Sequence, residues 1–332
     1  MLGVSKNQPA RAHSRSDWAS AGGRESSLNL MTLNLGLLAL RPLGLRGLSF
    51  ARHVDRRLAA APDHLHDSGA DILALQEVYA SPHRRFLRKR LLQSYPYACV
   101  PKKLRSVLGS GLMFLSRHRI LSSEFFPWRG APLENALSAK GCLYIAVDIP
   151  GHGPVGLLNL HLSVGGVLRL PNQPDANVRQ LAEIDQVLTI ANSLLPVPPI
   201  LIGDFNCSPV VNPEVYGRIV AAGFVDAFAA TATAEQKQFV VTWDPANPLN
   251  AGGVHRHSPS QRIDHVFVPS TSIGTFTPVM NSIEFRSPTV DVGRGRKVTL
   301  SDHYALFQRL AIDAKKPRRL SSLLKEDALV DV

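Results

Sequence analysis

Carboxylates, amides and imidazoles stand where short apolar runs of this chain end. Asn34 follows Leu30-Met31-Thr32-Leu33, Glu77 closes the run from Asp71, and His161 closes the run from Val155. Asp204 and Asn206 follow Ile200-Leu201-Ile202-Gly203, Asp264 lies in Arg262-Ile263-Asp264-His265, and Asp302-His303 precedes the last apolar run. One polar residue at a strand end is ordinary, because there the chain meets water. Its recurrence with these residue types is chemically coherent. Oxygen ligands suit a hard cation such as Mg2+ or Mn2+, and an imidazole titrating near neutrality exchanges protons beside it. The three cysteines, Cys99, Cys142 and Cys207, lie far apart with no CxxC pair, which argues against a disulfide framework or a thiolate zinc site and fits a reducing compartment.

Strands must carry these residues. Apolar runs rich in β-formers predict strands over Leu28–Asn34, Asp71–Glu77, Gly111–Leu115, Cys142–Ile149, Val155–His161, Ile200–Asp204, Phe239–Trp243, Ile263–Val268 and His303–Ile312. Val54, Leu58 and Leu65 share one helix face with a bend expected at Pro62, and Val178, Leu181, Leu188 and Leu195 mark a longer helix from Pro174. Strands outnumber helices, and both tight turns and helices join them. That mixture predicts an α+β protein with two mixed sheets packed face to face and helices outside.

The chain has 332 residues, 45% hydrophobic and 19% charged, which is ample for a sizeable core and excludes wholly disordered or collagen-like chains. Residues 28–312 read as one domain. Residues 1–27, rich in Ser, Arg, Gly and Ala, read as a disordered lead-in without the apolar core of a secretory signal, and 313–332, with its Lys-Lys-Pro-Arg-Arg cluster, as a loose basic tail. No run approaches the roughly 18 apolar residues of a membrane span. The expected location is the cytoplasm or the periphery of a membrane.

Lys and Arg number 37 against 26 Asp and Glu, a net charge of +11. Between Ser81 and Arg119 stand Arg84, Arg85, Arg88, Lys89, Arg90, Lys102, Lys103, Arg105, Arg117 and Arg119, without an acid. Ser81-Pro82 suits a helix start, with Ser81 as N-cap, and Phe86, Leu87, Leu91 and Leu92 would form the apolar side of a basic helix. Its exposed side is either a solvated face or a surface for phosphate-bearing partners such as nucleic acid or an anionic membrane. Residues 37–50 interleave leucines with Arg41 and Arg46, a pattern that fits either a lipid interface or a buried loop and helix start.

In the order Thr-Leu-Asn (32–34), Leu-Gln-Glu (75–77), Gly-Ser-Gly-Leu (109–112), Asn-Leu-His-Leu-Ser (159–163), Gly-Asp-Phe-Asn (203–206), Arg-Ile-Asp-His (262–265) and Leu-Ser-Asp-His (300–303), the motifs resemble the endonuclease/exonuclease/phosphatase superfamily. The resemblance implies a four-layer α/β/β/α sandwich, DNase I-like, and metal-dependent cleavage of a phosphoester. It also implies that Glu77 and Asn34 ligate a metal, with Asp302 close to the same ion, and that Asp204 and Asn206 orient the attacking water and hold the phosphate. His303 becomes the base or phosphate-contacting imidazole, Asp264 fixes its tautomer, and His161 stabilises the transition state or protonates the leaving oxygen.

Ser138-Ala139-Lys140-Gly141 resembles a Ser-x-Lys-Gly segment of the neutral sphingomyelinase branch, which implies a phosphate contact for Lys140; the plain alternative is an exposed lysine at a strand start. Thr242-Trp243-Asp244 is similar to a stretch in secreted bacterial sphingomyelinases. Gly-Asp-Phe-Asn lacks the arginine that follows it in inositol-polyphosphate 5-phosphatases. With Cys-Ser-Pro and Tyr216 beyond, it also resembles the deadenylase and nuclease branches. The resemblance therefore implies a Mg2+ enzyme, with Mn2+ as second choice. A lipid-headgroup phosphodiester in peripheral membrane contact is the favoured substrate and nucleic acid the alternative, for which the basic stretch would be the track.

Overall fold

In the computed structural model the described residues are 26–40, 48–49, 51–102, 106, 108–129, 138–164, 174–194, 198–251, 257–272 and 275–313. In chain order the strands are β1 (Ser26–Asn34), β2 (Ala39–Leu40), β3 (Leu48–Ser49), β4 (Ile72–Gln76), β5 (Tyr97–Cys99), β6 (Met113–Ser116), β7 (Ile120–Pro127) and β8 (Gly141–Ile149). There follow β9 (Gly153–His161), β10 (Ile200–Asp204), β11 (Phe224–Asp226), β12 (Asp264–Pro269), β13 (Phe276–Glu284), β14 (Val290–Gly293), β15 (Arg296–Val298) and β16 (Ala305–Ile312). The helices are α1 (Val54–Asp67), α2 (Ser81–Leu91), α3 (Pro174–Ser193), α4 (Pro213–Ala221), α5 (Ala227–Thr231) and α6 (Ala234–Phe239).

Two six-stranded sheets hold most of these strands, in the orders β13-β16-β1-β4-β6-β5 and β11-β12-β10-β9-β8-β7. Each has a parallel pair at its centre, β1 with β4 and β9 with β10, and antiparallel neighbours outside. A parallel pair cannot be closed by a tight turn, and here α1 and α3 lie in the two crossovers.

Alternation along the central strands divides them between two cores. Leu28 and Leu30 of β1 face the opposite sheet while Met31 and Leu33 face helices; Ile72 and Ala74 of β4 oppose Leu73 and Leu75 in the same way. In the second sheet Val155, Leu157, Ile200 and Ile202 face inward, and Leu158, Leu160 and Leu201 outward. Ala61 and Leu65 of α1 and Leu87 and Leu91 of α2 cover the first sheet; Ile184 and Val187 of α3 and Val215 and Ile219 of α4 cover the second. The result is the four-layer α/β/β/α sandwich expected from the motifs.

Continuing the alternation to the last residue of β1, β4, β9 and β10 puts Asn34, Gln76, His161 and Asp204 on the inward side, and carrying it back from Val268 and Val266 to the first residue of β12 puts Asp264 there too. The register aligns them in rows, Asn34 opposite Gln76, and Asp204 opposite both His161 and Asp264. Just below, Gln76 Nε2 donates to Asn159 Oδ1 at 2.8 Å, tying the sheets together, and Asn159 Nδ2 donates to the Leu75 carbonyl at 3.1 Å. Gly203 sits at φ +146°, where a Cβ would lie 2.1 Å from the Leu160 carbonyl oxygen, so this crossing of β10 over β9 admits only glycine.

Several expectations need correction. Phe239–Trp243 is not a strand: α6 ends at Phe239, which is exposed, and only Trp243 makes isolated bridges, to Gln261 and His303. The Thr242 hydroxyl instead accepts from the Ile263 and Asp264 amides, a local alternative to a ladder. Helix α2 begins one residue early, with Ala80 rather than Ser81 as N-cap, and Leu92 is 52% exposed because it falls beyond the Leu87–Leu91 stripe. Strand β1 starts at Ser26, so the lead-in is shorter than 1–27; residues 1–25 and 314–332 lie outside the described residues. Leu37 is buried against the first sheet's outer core rather than free for lipid, and 41–47 and 50 lie outside the described residues. All three cysteines are buried and free. No described helix is long and apolar enough to cross a membrane.

Candidate active site

The rows of strand ends open into a cleft of about 160 Å3 lined by Asn34, Glu77, His161, Asp204, Asn206, Asp302 and His303, with Val164, Trp243, Gln261 and Ile263 on its walls. Glu77 and Asn206 follow β4 and β10 by one and two residues, and both take left-handed backbone, at φ 59° and 47°. Such a conformation costs a non-glycine residue about 1 kcal/mol or more and persists where the surroundings enforce it. For Asn206 the enforcement is visible: its amide donates to Asp204 Oδ1 at 2.9 Å and its Nδ2 to the Leu162 carbonyl at 2.9 Å.

One half of the cleft is acidic. Asn34 Nδ2 donates to Glu77 Oε1 at 3.2 Å and to Asp204 Oδ2 at 3.0 Å, while its Oδ1 accepts from the Gly36 amide at 2.9 Å. Burial, and then the charge of Asp302, push the Glu77 carboxyl above its usual range. Two carboxylates that repel each other beside a carboxamide, in a water-poor cleft, are a donor set that a divalent cation would relieve. Asp204, Asp264 and His303 also present ligand atoms within 4.8 Å of one another. Asp264 of that second set is wholly buried and does not line the cleft, whereas Asn34, Glu77 and Asp302 all do, so these three fit a hard cation better.

The other half holds the imidazoles. His303 Nδ1 lies 3.0 Å from Asp264 Oδ2 and its Nε2 3.8 Å from Asp204 Oδ2; His161 Nε2 lies 3.5 Å from the same Asp204 oxygen. Burial disfavours charge on His303, but the Asp264 and Asp204 carboxylates outweigh it and raise the imidazole to about 10. Burial, then Asp264, raises Asp204 to about 7. A proton between His303 and Asp204 belongs on the imidazole, since Asp204 already accepts from Asn34 and Asn206. His161 moves the other way, well below its ordinary value, through burial and then the charges of Lys140 and His303. Asp264 is fully buried, and its Oδ1 finds no hydrogen-bond partner among the described residues.

The structure thus gathers Asn34, Glu77, His161, Asp204, Asn206, Asp302 and His303 on one cleft, with Asp264 behind His303. Lys140 stands at its flank, half-buried, with Nζ 3.3 Å from the Leu162 carbonyl. Sequence reasoning missed the supports. Gln180 Nε2 donates to the Ser163 and Asn206 carbonyls at 2.9 and 2.8 Å, and Glu183 accepts from the Ser163 amide and hydroxyl. Arg262 bonds Asp226 at 2.7 Å and His265 Nδ1 at 2.7 Å, and His265 Nε2 in turn donates to the Cys207 carbonyl, steadying the turn after Asn206. Trp243 lines the cleft, while Asp244 accepts from Ala246 and Ser260.

This arrangement places the chain by class, and the chain belongs to the Endonuclease/Exonuclease/phosphatase family, whose profile matches residues 31–303. Among curated relatives, a Drosophila melanogaster protein described as a neutral sphingomyelinase is 26% identical over 301 residues, covering 87% of this chain and 63% of that one. Sphingomyelin phosphodiesterase 5 of Danio rerio is 34% identical over 161 residues, 42% of this chain and 29% of its own. The chain spans less than two thirds of the length of the curated relatives it matches.

Solved structures share the fold. Sphingomyelinase C from Streptomyces griseocarneus aligns at TM-score 0.62 and 18% identity over 86% of this chain and 99% of that one. Beta toxin from Staphylococcus aureus, with bound magnesium ions, aligns at 0.66 and 16% over 85% and 99%. D. rerio TDP2, complexed with a single-strand DNA product, aligns at 0.61 and 21% over 86% and 99%.

Proposed function

We propose that this chain is a Mg2+-dependent phosphodiesterase that hydrolyses sphingomyelin to ceramide and phosphocholine. The carrying observation is that an acidic set, Asn34, Glu77 and Asp302, faces an imidazole set, His161 and His303 with Asp204 and Asp264, across a single cleft. Sphingomyelinases among the relatives and the fold neighbours support the lipid substrate.

Glu77, Asp302 and Asn34 would hold the ion; for Asn34 this means presenting Oδ1, which in this structure accepts the Gly36 amide. When bound, the ion would neutralise charge developing on the phosphoryl and leaving oxygens. In its uncharged form His303 would take the proton of the attacking water at Nε2, with Asp264 holding Nδ1–H and stabilising the imidazolium that forms, and the ceramide oxygen would leave with a proton returned from that imidazolium through solvent. Asp204 and Asn206 orient that water. His161, kept uncharged by burial and Lys140, donates a hydrogen bond to the developing oxyanion, and the Lys140 ammonium holds the phosphate. The lipid must be drawn from a bilayer, so peripheral membrane contact belongs to this reading, although Leu37 is not available for it.

A nuclease is the second reading. Arg85, Arg88, Lys89 and Arg90 are exposed on α2, a surface that would attract a polyanion, and the fold is shared with TDP2. Phosphocholine release from sphingomyelin vesicles with Mg2+, compared between wild type and His303→Ala, decides. Release by the wild type alone supports the proposal. No release by folded wild-type protein refutes it and moves the substrate to oligonucleotides.

A further inference from the structure

Helix α1 carries adjacent arginines of opposite fate: Arg56 is exposed, whereas Arg57 is 2% exposed. Arg57 Nε donates to the Arg52 carbonyl at 2.8 Å, one terminal nitrogen to Leu35 at 2.7 Å and Leu300 at 3.1 Å, and the other to Gly36. Leu35 and Gly36 directly follow Asn34, and Leu300 stands two residues before Asp302. A single rigid fork therefore grips the two chain segments that deliver Asn34 and Asp302. Those segments touch: the Ser301 hydroxyl donates to the Asn34 carbonyl at 2.6 Å and lies 3.1 Å from Asp302 Oδ1, and a Cβ on Gly36 would fall 2.2 Å from Asp302 Oδ1.

A buried cation is expensive, and an apolar residue of similar size would usually serve stability as well or better. The hydrogen bonds of Arg57 go to backbone carbonyls, while the charges of Asp302 and Glu77 act on it from nearby. Burying a guanidinium behind the acidic half of a cleft, with its donors spent on the chain that spaces the acids, is an arrangement for geometry. A lysine keeps the charge but cannot reproduce the fork.

We propose that Arg57 is a positioning residue that sets the spacing of Asn34 and Asp302, and through it the affinity of the acidic half for a divalent cation. The proposal rests on the metal reading above but not on the identity of the phosphoester.

The test uses the full chain and reads Mg2+ binding from the Mg2+ concentration that gives half of the Mg2+-induced rise in Tm, with kcat and KM for a soluble phosphodiester alongside. Arg57→Lys should raise the half-saturating Mg2+ by about tenfold or more, the scale on which supports of metal ligands act. It should lower kcat at limiting Mg2+ and leave KM near wild type. Ser301→Ala cuts the other thread between the same segments and should move the half-saturating Mg2+ in the same direction, which keeps the proposal testable if Arg57→Lys does not fold. A variant with a lower Tm but an unchanged half-saturating Mg2+ makes the tie merely structural and overturns the proposal. A wild-type protein with no thermal response to Mg2+ or Mn2+ overturns the metal reading and this proposal together. Metal binding without sphingomyelin cleavage removes only the substrate reading and leaves the proposal standing.

Discussion

Replacing Asp264 with asparagine tests the buried carboxylate–imidazole pair in both catalysis and stability. The carboxylate lies 3.0 Å from His303 Nδ1 and is wholly buried. At that separation, and with an effective dielectric near 20, an ion pair is worth about 5.5 kcal/mol, or roughly four pKa units. His303, held at about 10 by Asp264 and Asp204 against burial, should therefore fall toward its ordinary value in the variant. An asparagine that turns its Nδ2 toward Nδ1 would also impose the wrong tautomer, a fault that costs about four orders of magnitude in kcat in the serine-protease triad. Stability should fall as well, because His303 loses the carboxylate that favours its charged form in a buried site, on a scale of about 3 to 5 kcal/mol for removing one partner of a buried pair. The assay is kcat against pH for a soluble phosphodiester at saturating Mg2+, with Tm recorded in parallel. The expected result is a loss of at least about a hundredfold in kcat together with a lowered Tm. A variant within about threefold of wild type, with an unmoved pH profile, would refute the role of the Asp264–His303 pair.

Three further outcomes follow from the same geometry. Asn159→Leu removes the bond that ties the Gln76 amide to the opposite sheet and the donor to the Leu75 and Met113 carbonyls, and should cost about 1 to 3 kcal/mol by chemical denaturation; a loss below about 0.5 kcal/mol would show the inter-sheet tie to be dispensable. Mg2+ should bind more weakly as pH falls, because burial and Asp302 favour protonation of Glu77 and a protonated carboxyl is a poor ligand; a half-saturation that stays level from pH 8 down to the ordinary carboxylate range would exclude Glu77 as a ligand. Burial alone would raise Asp226, but His265 and Arg262 hold it well below its ordinary value, so its stabilisation is full above the ordinary aspartate range and fades as pH falls toward the folded-state value. Asp226→Asn should thus lose more stability at pH 7 than at pH 3, and an equal loss at both would remove the charge from the account.

The strand ends were legible because a strand that buries one face must end in something that meets the cleft, and parity then carries Leu28, Leu30 and Thr32 to Asn34. The same rule reaches Gln76 from Ile72 and Asn159 from Val155, although the search for chemistry passed both by because an uncharged amide in an apolar run signals nothing alone. Arg57 was concealed by its neighbour. Asp55-Arg56-Arg57 reads as a solvated helix turn, yet Val54, Ala61 and Leu65 set a buried stripe on which Arg57 falls, so helix phase held the clue. Phe239–Trp243 was misread because apolar content says nothing about whether a ladder partner exists. The basic stretch divides in a way that composition cannot show: Arg84 is half-buried and donates to the Tyr79 carbonyl, whereas Arg85, Arg88, Lys89, Arg90, Lys102, Arg117 and Arg119 are exposed, Arg117 lying over the Tyr95 ring.

Sheets and helices consequently have different duties at this cleft. Pairing register fixes which residues stand side by side, Asp204 between His161 and Asp264 and Asn34 beside Gln76, but register ends with the strands, whereas Glu77, Asn206 and Asp302 lie beyond them. Loops leaving a sheet are free to spread unless something holds them. In each half a crossover helix supplies that hold from behind: Arg57 of α1 grips the exits around Asn34 and Asp302, and Gln180 and Glu183 of α3 grip Ser163 and Asn206. The acidic half receives a cation for this duty and the imidazole half a neutral amide and a carboxylate. The cation stands behind carboxylates, where burial and Asp302 disfavour anionic Glu77; on the other side burial and then Lys140 disfavour cationic His161, and burial raises Glu183 against the opposing pull of Lys140 and the Ser163 hydrogen bonds. Exchanging the two kinds of support would leave the sheets paired and the cleft's charge balance reversed, which is why the supporting residues, and not the strands alone, make this site.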